Sequence, residues 1–317
     1  MEQAGCRIVR HIRHTAFMGF ASVISHWKEV RENFKIAHKA LLAEQPDVLI
    51  LIDYPSFNLR IAKFCKRYLP HTKIYYYIPP KVWAWKRRRI HQIARLCDEV
   101  WGIFPFEPDF YAQYGYSCQY VGNPTAETVE RFLKSQTEKI ERQKMIAILP
   151  GSRPNEITHC LPRMLEAARR FPNYRIVVCA APNSMDELFA PYLRKNETLT
   201  RDTYAALLQA SAAIVNSGTD TLETALLGCP QVAVYHLACS HFIGLVRSWV
   251  QPRLFSIHHF TPVNIIAQKE IIKECIANDF TVDKVADELQ RLLTDEAYKK
   301  EMLASYEHLS TLLSSRS

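Results

Sequence analysis

The feature that most constrains the fold is a regular alternation of short apolar runs with longer amphipathic runs. Eight apolar runs, rich in β-branched and aromatic residues, predict strands at residues 48–52, 73–77, 99–103, 119–121, 145–149, 175–179, 212–215 and 231–235. Amphipathic runs between them predict helices, among them 31–44, 58–67, 162–170 and 221–227. This alternation predicts an α/β fold with parallel sheets. Because the strands are almost wholly apolar, we expect both faces of each sheet to be covered.

A polar stretch at residues 135–143, "SQTEKIERQ", separates two strand-rich halves. With 317 residues, the chain is long enough for two hydrophobic cores. We therefore predict two Rossmann-like doubly wound domains, at residues 1–137 and 144–282. A helical segment at 283–317 either caps the second domain or packs back on the first. Such domains bind ligands at the carboxyl ends of their strands, so the strand-to-helix turns are the candidate sites.

The composition excludes several classes of protein. Hydrophobic residues make up 48% of the chain and charged residues 23%, which is typical of a folded protein. No apolar run approaches the roughly 18–20 residues that span a bilayer, and the first residues lack the apolar core of a signal peptide. Nine cysteines without a C-x-x-C pair predict a reducing compartment and no structural zinc. We therefore expect a cytoplasmic protein.

The formal net charge is +8, and part of this excess lies in one basic run. The run follows a tryptophan-containing stretch and consists of Lys86, Arg87, Arg88 and Arg89. It is either a solvated face or a surface for an anionic partner, such as phosphate groups or an acidic membrane. No nucleic-acid-binding motif accompanies it, so nucleic acid is not the expected partner.

The first informative turn is "LIDYPSFNLRIAK", residues 51–63. A strand that we expect to be buried ends in Asp53, and Asn58 is placed to cap the following helix. An acid at the carboxyl end of a strand faces the ligand crevice, where a general base is needed. The alternative is an aspartate that orders the loop by accepting hydrogen bonds from local amides. The position alone leaves both interpretations open.

The second informative turn is "ILPGSRPNEI", residues 148–157. Gly151 allows close approach of the backbone, Ser152 and the helix N-terminus offer donors, and Arg153 adds a permanent charge. This arrangement predicts a phosphate site, although no G-K-[ST] follows as in a Walker loop. The alternative is an ordinary turn with an arginine that faces solvent.

A third turn has the same strand-to-helix layout. Ser217, Gly218 and Thr219 follow an apolar strand and open a helix, so their amides and hydroxyls predict a second phosphate site. Glu223 lies about one helical turn further on, where a carboxylate suits the hydroxyl pair of a ribose. The alternative is an acid that stabilises the helix N-terminus by about 0.3–1 kcal/mol.

Two phosphate-type turns in the second half and an acid-bearing turn in the first half suit a two-domain glycosyl-transfer enzyme. No D-x-D pair follows a strand, so we expect neither a metal ion nor another cofactor. A leaving diphosphate would then be stabilised by Arg153 and by helix N-termini.

Seven stretches in the chain resemble, in the same order, those of lipid-A-disaccharide synthases, a family of inverting GT-B glycosyltransferases. They are "PDVLILIDYPSFNLRIAK", "YYYIPPKVWAWKRRRI", "FPFEPDFY", "YVGNP", "ILPGSRPNEI", "NSGTDTLETALLGCPQVAVYH" and "PVNIIAQKEIIKECI". The resemblance implies transfer of 2,3-diacylglucosamine from UDP to the 6-hydroxyl of 2,3-diacylglucosamine 1-phosphate (lipid X). The products are lipid A disaccharide 1-phosphate and UDP.

The resemblance also implies roles for individual residues. Asp53 matches a candidate general base, and Arg153 and Asn264 match residues that are important for activity. The turn that contains Ser217, Gly218 and Thr219 belongs to the nucleotide-binding domain. Apart from the resemblance, the charge of the basic run leads to the hypothesis that it holds the acceptor phosphate or membrane phosphates.

An apolar stripe at helical spacing matches the family's surface towards membrane and acyl chains, and core packing is its alternative. The stripe consists of Phe17, Phe20, Ile24 and Trp27. The expected partners are UDP-2,3-diacylglucosamine, lipid X and the cytoplasmic face of the inner membrane, and a homodimer is compatible with this assignment.

The chain departs from the family pattern at its start, where the leading strand and its G-E-x-S-G-D turn are missing. We therefore expect an incomplete first domain with an unprotected sheet edge, and either a longer natural chain or an impaired enzyme. Asn123 and Gln268 replace a usual histidine and a usual glycine. Two alternatives remain: another UDP-sugar enzyme of the GT-B class, such as a 2-epimerase, or a remnant that binds UDP without catalysis.

Overall fold

The computed structural model describes residues 5–10, 27–84, 86–137, 140–236 and 259–314. The chain divides into two compact units, the first formed by residues 1–103 and 107–121, the second by 104–106 and 122–317. Each unit is built on its own parallel β-sheet. The predicted α/β class is therefore confirmed in both halves of the chain.

The first unit contains a four-stranded parallel sheet in the order β1-β2-β3-β4. Its elements are α1 (Trp27–Glu44), β1 (Val48–Ile52), α2 (Pro55–Tyr68), β2 (Lys73–Tyr77), α3 (Arg89–Leu96), β3 (Glu99–Gly102), α4 (Glu107–Ala112) and β4 (Gln119–Tyr120). The core lies between the sheet and its helices, where Tyr76, Ile90 and Ile93 are fully buried.

Strand β1 is a correction to the sequence analysis, which expected it to be buried. Leu51 is buried, but Val48, Ile50 and Ile52 are 44%, 51% and 39% exposed. The reason is the position of β1 at the edge of the sheet, where β2 is its neighbour within the described residues. The expected unprotected edge is therefore present in the described part of the chain.

The second unit contains a six-stranded parallel sheet in the order β10-β9-β8-β5-β6-β7. Its strands are β5 (Gln143–Leu149), β6 (Arg175–Cys179), β7 (Thr198–Thr200), β8 (Ala210–Asn216), β9 (Gln231–Tyr235) and β10 (Lys273–Ile276). Its helices are α5 (Pro124–Ser135), α6 (Pro154–Ala168), α7 (Thr203–Gln209), α8 (Thr219–Leu226), α9 (Pro262–Ala267), α10 (Val282–Thr294) and α11 (Glu296–Ser314). The central strands β5 and β8 are buried along most of their length, as their apolar sequences predict.

The last change of unit along the chain falls between Val121 and Gly122, whereas the sequence analysis placed the domain boundary in the stretch 135–143. Helix α5 accounts for the difference, because it packs against α8 and α11 of the second unit. Its Val129 is 1% exposed in the same cluster as Met145 of β5. The two C-terminal helices also belong to the second unit.

Helix α6 begins at Pro154, eight residues before the predicted start at residue 162. Pro162, at which the predicted helix began, lies inside the observed helix. Pro154 occupies the first turn, where its fixed φ and missing N–H fit a helix start. The turn before α6 is therefore short and follows β5 directly.

Three residues of the predicted apolar stripe, Phe17, Phe20 and Ile24, lie outside the described residues, as does the side chain of Trp27. Within the described ranges, every helix is too short or too polar to cross a membrane.

Candidate functional site

The turn that joins β5 to α6, here called the Gly151 turn (residues 150–153), depends on its glycine. Gly151 has a φ of +102°, which disfavours side chains. A Cβ atom at this position would lie 2.5 Å from Glu156 Oε2 and 2.7 Å from Asn216 Nδ2. The backbone of the turn therefore lies directly against two polar side chains, one from α6 and one from the end of β8.

The turn that joins β8 to α8, here called the Ser217 turn (residues 217–219), lies beside the Gly151 turn. Strands β5 and β8 are neighbours in parallel register, so both turns leave the same end of the sheet. The Ser217 amide donates to Val234 O at 2.7 Å, which ties the turn to β9. Gly218 precedes α8 and offers no side-chain oxygen to the first amides of that helix. The two predicted phosphate turns are thus brought together at the carboxyl ends of the strands.

Arg153 occupies the N-cap position of α6 and forms an ion pair with its own helix. Its Nη1 donates to Glu156 Oε1 at 2.6 Å, and its backbone amide donates to Glu156 Oε2 at 3.3 Å. This is the spacing of a capping box, which satisfies an otherwise open amide at the helix start. The Arg153 side chain is 56% exposed, so an incoming anion can reach its guanidinium group.

Glu223 lies on α8, on the side that faces α7. Its carboxylate shares a hydrogen bond with the Tyr204 hydroxyl, and burial and the nearby Asp220 raise the pKa of Glu223. Burial, followed by the charge of Glu156, also raises the pKa of Asp220. Three carboxylates therefore surround the two turns, of which the sequence analysis singled out only Glu223.

Asn216 and Glu156 were not singled out by the sequence analysis, although both lie against Gly151. Asn216 is 3% exposed and accepts a long hydrogen bond from the Cys160 thiol at 3.6 Å. The sequence did contain indications of both. Asn216 is the polar end of an apolar strand, and Glu156 stands three residues after Arg153 at capping-box spacing.

Asn264 is fully buried, and its side chain bonds within the protein. Its Nδ2 donates to Ile272 O at 2.8 Å and to Glu274 Oε1 at 2.9 Å. Its Oδ1 accepts the amides of Ile271 and Ile272 at 2.8 and 3.0 Å. Since an amide side chain has two donor hydrogens and two acceptor lone pairs, these bonds use its full capacity. Asn264 therefore joins α9 to the segment that leads into β10.

In the first unit, Asp53 lies at the carboxyl end of β1 in a strained turn. Asp53, Tyr54 and Ile78 have φ values of 44°, 43° and 57°, a region that non-glycine residues rarely adopt. The carbonyl of Asp53 accepts hydrogen bonds from Asn58 Nδ2 at 2.6 Å and from the Tyr76 hydroxyl at 2.9 Å. The Asp53 side chain is exposed. Strain of this kind is typical of positions that a protein holds in place for function.

The sequence analysis expected Asn58 to cap α2, but it does not. The helix begins at Pro55, and Asn58 instead donates to the carbonyls of Ile52 and Asp53. A proline in the first turn allows an earlier start than an Asn-capped helix would have. Asn58 therefore holds the end of β1 and not the first amides of α2.

Lys81 carries a charge near Asp53, in the loop after β2. Desolvation lowers the pKa of the Lys81 ammonium group, while the charges of Asp53 and Glu107 act in the opposite direction. Glu107 is 1% exposed and accepts from Trp83 Nε1 at 3.1 Å and from the Ile103 amide at 2.8 Å. The first unit thus places a cation among two carboxylates at the carboxyl ends of its strands.

The basic run lies on the surface of the first unit. Lys86, Arg87 and Arg88 are exposed, and Arg89 begins α3. Lys86 has a positive φ of 52°, which turns the chain just before the helix. Exposure fits both interpretations of the run, a solvated face and an anion-binding surface.

Asn123, which replaces the family histidine, is the N-cap of α5. Its Oδ1 accepts the amides of Thr125 and Ala126 at 3.0 and 3.2 Å. Gln268 ends α9 in the left-handed conformation, with a φ of 54°, where the family glycine would be unstrained. Among the described residues, no three His, Cys, Asp or Glu side chains lie close enough together to hold a metal ion.

Two α/β units, each with a parallel sheet and with turns at the carboxyl ends of its strands, are typical of the GT-B class of glycosyltransferases and related epimerases. Solved structures share this fold. MnaA from S. aureus, solved with UDP, has a TM-score of 0.59 and 12% identity over 93% of this chain and 80% of that chain. The glycotransferase of kitacinnamycin has a TM-score of 0.59 and 11% identity over 98% and 84%. At these identities the likeness shows the fold.

Sequence comparison identifies the family. The profile of the lipid-A-disaccharide synthetase family matches residues 1–316. The lipid-A-disaccharide synthase of Trichlorobacter lovleyi is 36% identical, over 94% of this chain and 79% of that protein. The chain belongs to the lipid-A-disaccharide synthetase family. The predicted family, the GT-B fold and the assignment as a glycosyltransferase of lipid A biosynthesis are confirmed, and the main interpretation is favoured over its alternatives.

Proposed function

We propose that this chain transfers 2,3-diacylglucosamine from its UDP derivative to the 6-hydroxyl of lipid X, giving lipid A disaccharide 1-phosphate and UDP. Family membership over residues 1–316 supports the reaction. The observation that carries the donor part is the close approach of the Gly151 turn to Asn216 at the end of β8, beside the Ser217 turn. Two turns at adjacent strand ends offer amide and hydroxyl donors to the phosphates of a diphosphate.

The donor part of this proposal places the UDP-sugar on the second unit, and MnaA was solved with UDP on a similar fold. The amides and hydroxyls of Ser152 and of the Ser217 turn bind the diphosphate, with Arg153 as the permanent cation. Arg153 must then exchange Glu156 for phosphate, which its exposed guanidinium group allows. Glu223 binds the ribose hydroxyls, in place of or beside the Tyr204 hydroxyl.

The acceptor part of the proposal assigns the base to Asp53. The carboxylate removes the proton from the 6-hydroxyl of the acceptor, whose oxygen forms a bond to the anomeric carbon of the donor. The bond from that carbon to the diphosphate breaks, and UDP leaves with the electron pair. The configuration inverts because attack and departure occur on opposite faces. The strained backbone at Asp53 and the hydrogen bonds that its carbonyl accepts from Asn58 and Tyr76 support a fixed backbone position, from which the exposed carboxylate extends.

The acceptor also carries a phosphate and acyl chains. Lys81, near Asp53, and the exposed basic run are the proposed cations for the acceptor phosphate and for phosphates of the membrane. The apolar stripe with Phe17, Phe20, Ile24 and Trp27 is the proposed acyl-chain surface. The proposed location is therefore the cytoplasmic face of the inner membrane, and a homodimer is compatible with the proposal.

Asn264 supports activity indirectly in this proposal. Its four hydrogen bonds hold α9 to the strand segment behind it, so its contribution is the shape of the donor unit. Asn264 is therefore a positioning residue, whereas Asp53 and Arg153 are the proposed catalytic residues.

The proposal is tested with the purified chain, UDP-2,3-diacylglucosamine and lipid X in mixed micelles. We expect equal amounts of UDP and of the disaccharide phosphate, measured by mass spectrometry. A parallel reaction with UDP-N-acetylglucosamine, which lacks acyl chains, should give no product. UDP binding without disaccharide would support the remnant alternative, and conversion of the unacylated donor would support an epimerase-type enzyme.

A further inference from the structure

Two histidines form a stack beside the Ser217 turn. His236 directly follows β9, and His159 lies in the second turn of α6. Their ring centroids are 4.7 Å apart, and the ring planes differ by 9°. Among the residues that the structure describes, His159 is exposed and His236 is half-buried. The proposed mechanism above does not use either ring.

The stack lies at the same strand ends as the two turns. The Ser217 amide bonds to Val234 O, two residues before His236. On the other side, Cys160 follows His159 on α6, and its thiol donates to the Asn216 side chain that borders Gly151. The Cys160 thiol also shares a hydrogen bond with the backbone of His236. These contacts connect the stack with both turns.

The hydrogen bonds fix where protons can be added. The Nδ1 atom of His159 lies 2.7 Å from the carbonyl of Asn155 and therefore carries hydrogen. The lone pair of the imidazole then lies on Nε2. Both rings of a stacked pair are not expected to be charged together, because like charges at this distance repel. The pair is thus suited to take up one proton.

Without a bound anion, the surroundings disfavour protonation of the histidine pair. Burial, followed by His159 and the cation of Arg163, lowers the pKa of His236. Burial raises the pKa of the Cys160 thiol to about 11, so this neighbour is neutral near pH 7. Three acids surround the two turns: Glu156, one turn before Cys160 and paired with Arg153, and Asp220 and Glu223 on α8. A bound diphosphate would add negative charge beside the stack and thereby favour its protonated state.

We propose that His159 and His236 form a proton-accepting part of the diphosphate site, so that UDP binding is coupled to proton uptake by the histidine pair. The inference rests on the proposed function of the two turns and adds a phosphate-binding role for the pair. The proton strengthens the hold on the phosphates and stabilises charge that develops on the leaving UDP. Since the bound state keeps the proton to a higher pH than the free state, affinity falls as the pH rises through that range.

The test is isothermal titration of the full chain with UDP between about pH 5.5 and 8.5, in buffers with different ionisation enthalpies. The buffer dependence of the heat gives the number of protons taken up. Free UDP titrates in this range equally in every experiment, so differences between variants report on the histidines together with the bound phosphate that they face. His236→Gln and His159→Gln each break the pair, and His308→Gln on the exposed face of α11 is the matched control.

We expect both pair variants to take up fewer protons than the unaltered chain and to bind UDP up to about tenfold more weakly at the acid end, with little difference at the alkaline end. The control should match the unaltered chain. Equal proton uptake in all four proteins would overturn the inference while leaving the proposed function intact. Absence of UDP binding by the unaltered chain would overturn both.

Discussion

The two units contain strands of similar apolar sequence that differ sharply in burial. Residues Met145–Leu149 of β5 are at most 3% exposed, between neighbouring strands and under helices. In β1, alternate residues are about half exposed, as Ile50 shows at 51%. A groove of about 500 Å³, lined largely by apolar residues of α1, α2 and β1, lies beside this edge. The second unit therefore has a covered sheet, whereas the sheet of the first has an open edge as far as the described residues show.

The difference shows that an apolar strand is buried only where neighbours cover it. Periodicity predicts that a run such as "VLILI" forms a strand, but burial depends on strands and helices from elsewhere in the chain. The second unit supplies those neighbours on both sides of β5. We therefore expect stability to depend strongly on its central strands and weakly on the edge of the first unit.

The largest expected effect comes from a charge placed in each strand. Ile148→Lys in β5 buries an ammonium group without a partner and should lower the free energy of unfolding by about 5 kcal/mol, or prevent folding. Ile50→Lys in β1 places the same group in solvent and should change it by less than about 0.5 kcal/mol. Urea unfolding followed by circular dichroism measures both. A comparable loss for Ile50→Lys would show that the edge is covered in solution.

A smaller effect is expected at Asn264, within the second unit. Asn264→Ala leaves two amides and two acceptors without their partner and should lower the free energy of unfolding by about 3 kcal/mol. The matched control is Asn155→Ala, an exposed side chain on α6, with an expected change below about 0.5 kcal/mol. If Asn264→Ala retained full stability but lost turnover, the residue would have a direct role in the reaction.

A smaller loss of stability than for Asn264 is expected at Gly151, where one substitution should affect both the backbone strain and UDP binding. Gly151→Ala must adopt a strained φ and displace Glu156 or Asn216, at a cost of about 2 kcal/mol, and should weaken UDP binding by about tenfold. Gly115→Ala in the first unit has a similar φ of +74° and open space around it. It should cost about 1 kcal/mol and leave UDP binding unchanged. Titration calorimetry and thermal melts compare the two, and unaltered UDP affinity in Gly151→Ala would remove that turn from the donor site.

The sequence predicted the parts of the fold that depend on local pattern. Four predicted strands have the observed bounds, because apolar runs bordered by polar turns define them. Strands β7 and β10 were not predicted, since "TLT" and "KECI" are short and partly polar and are strands only beside β6 and β9. The phosphate-type turns were found because glycine and small polar residues directly follow apolar strands.

The parts that could not be predicted depend on contacts between distant residues. Nothing local indicates that Asn264 bonds to Glu274 and Ile272, or that His159 stacks on His236 across 77 positions of sequence. The same limit explains why the exposure of β1 was not predicted: an apolar run does not show whether other parts of the chain cover it.

The central claim is that the first unit supplies the catalytic base and the second unit binds UDP. Asp53→Asn tests this claim most directly. The change removes the proposed base while keeping the shape of the side chain. Turnover of UDP-2,3-diacylglucosamine with lipid X should fall by about 10²–10⁴-fold, with the Kd for UDP unchanged. Asp47→Asn, an exposed acid just before β1, should leave both unchanged. Near-normal turnover of Asp53→Asn, or a loss of UDP affinity that matches its loss of turnover, would contradict the claim.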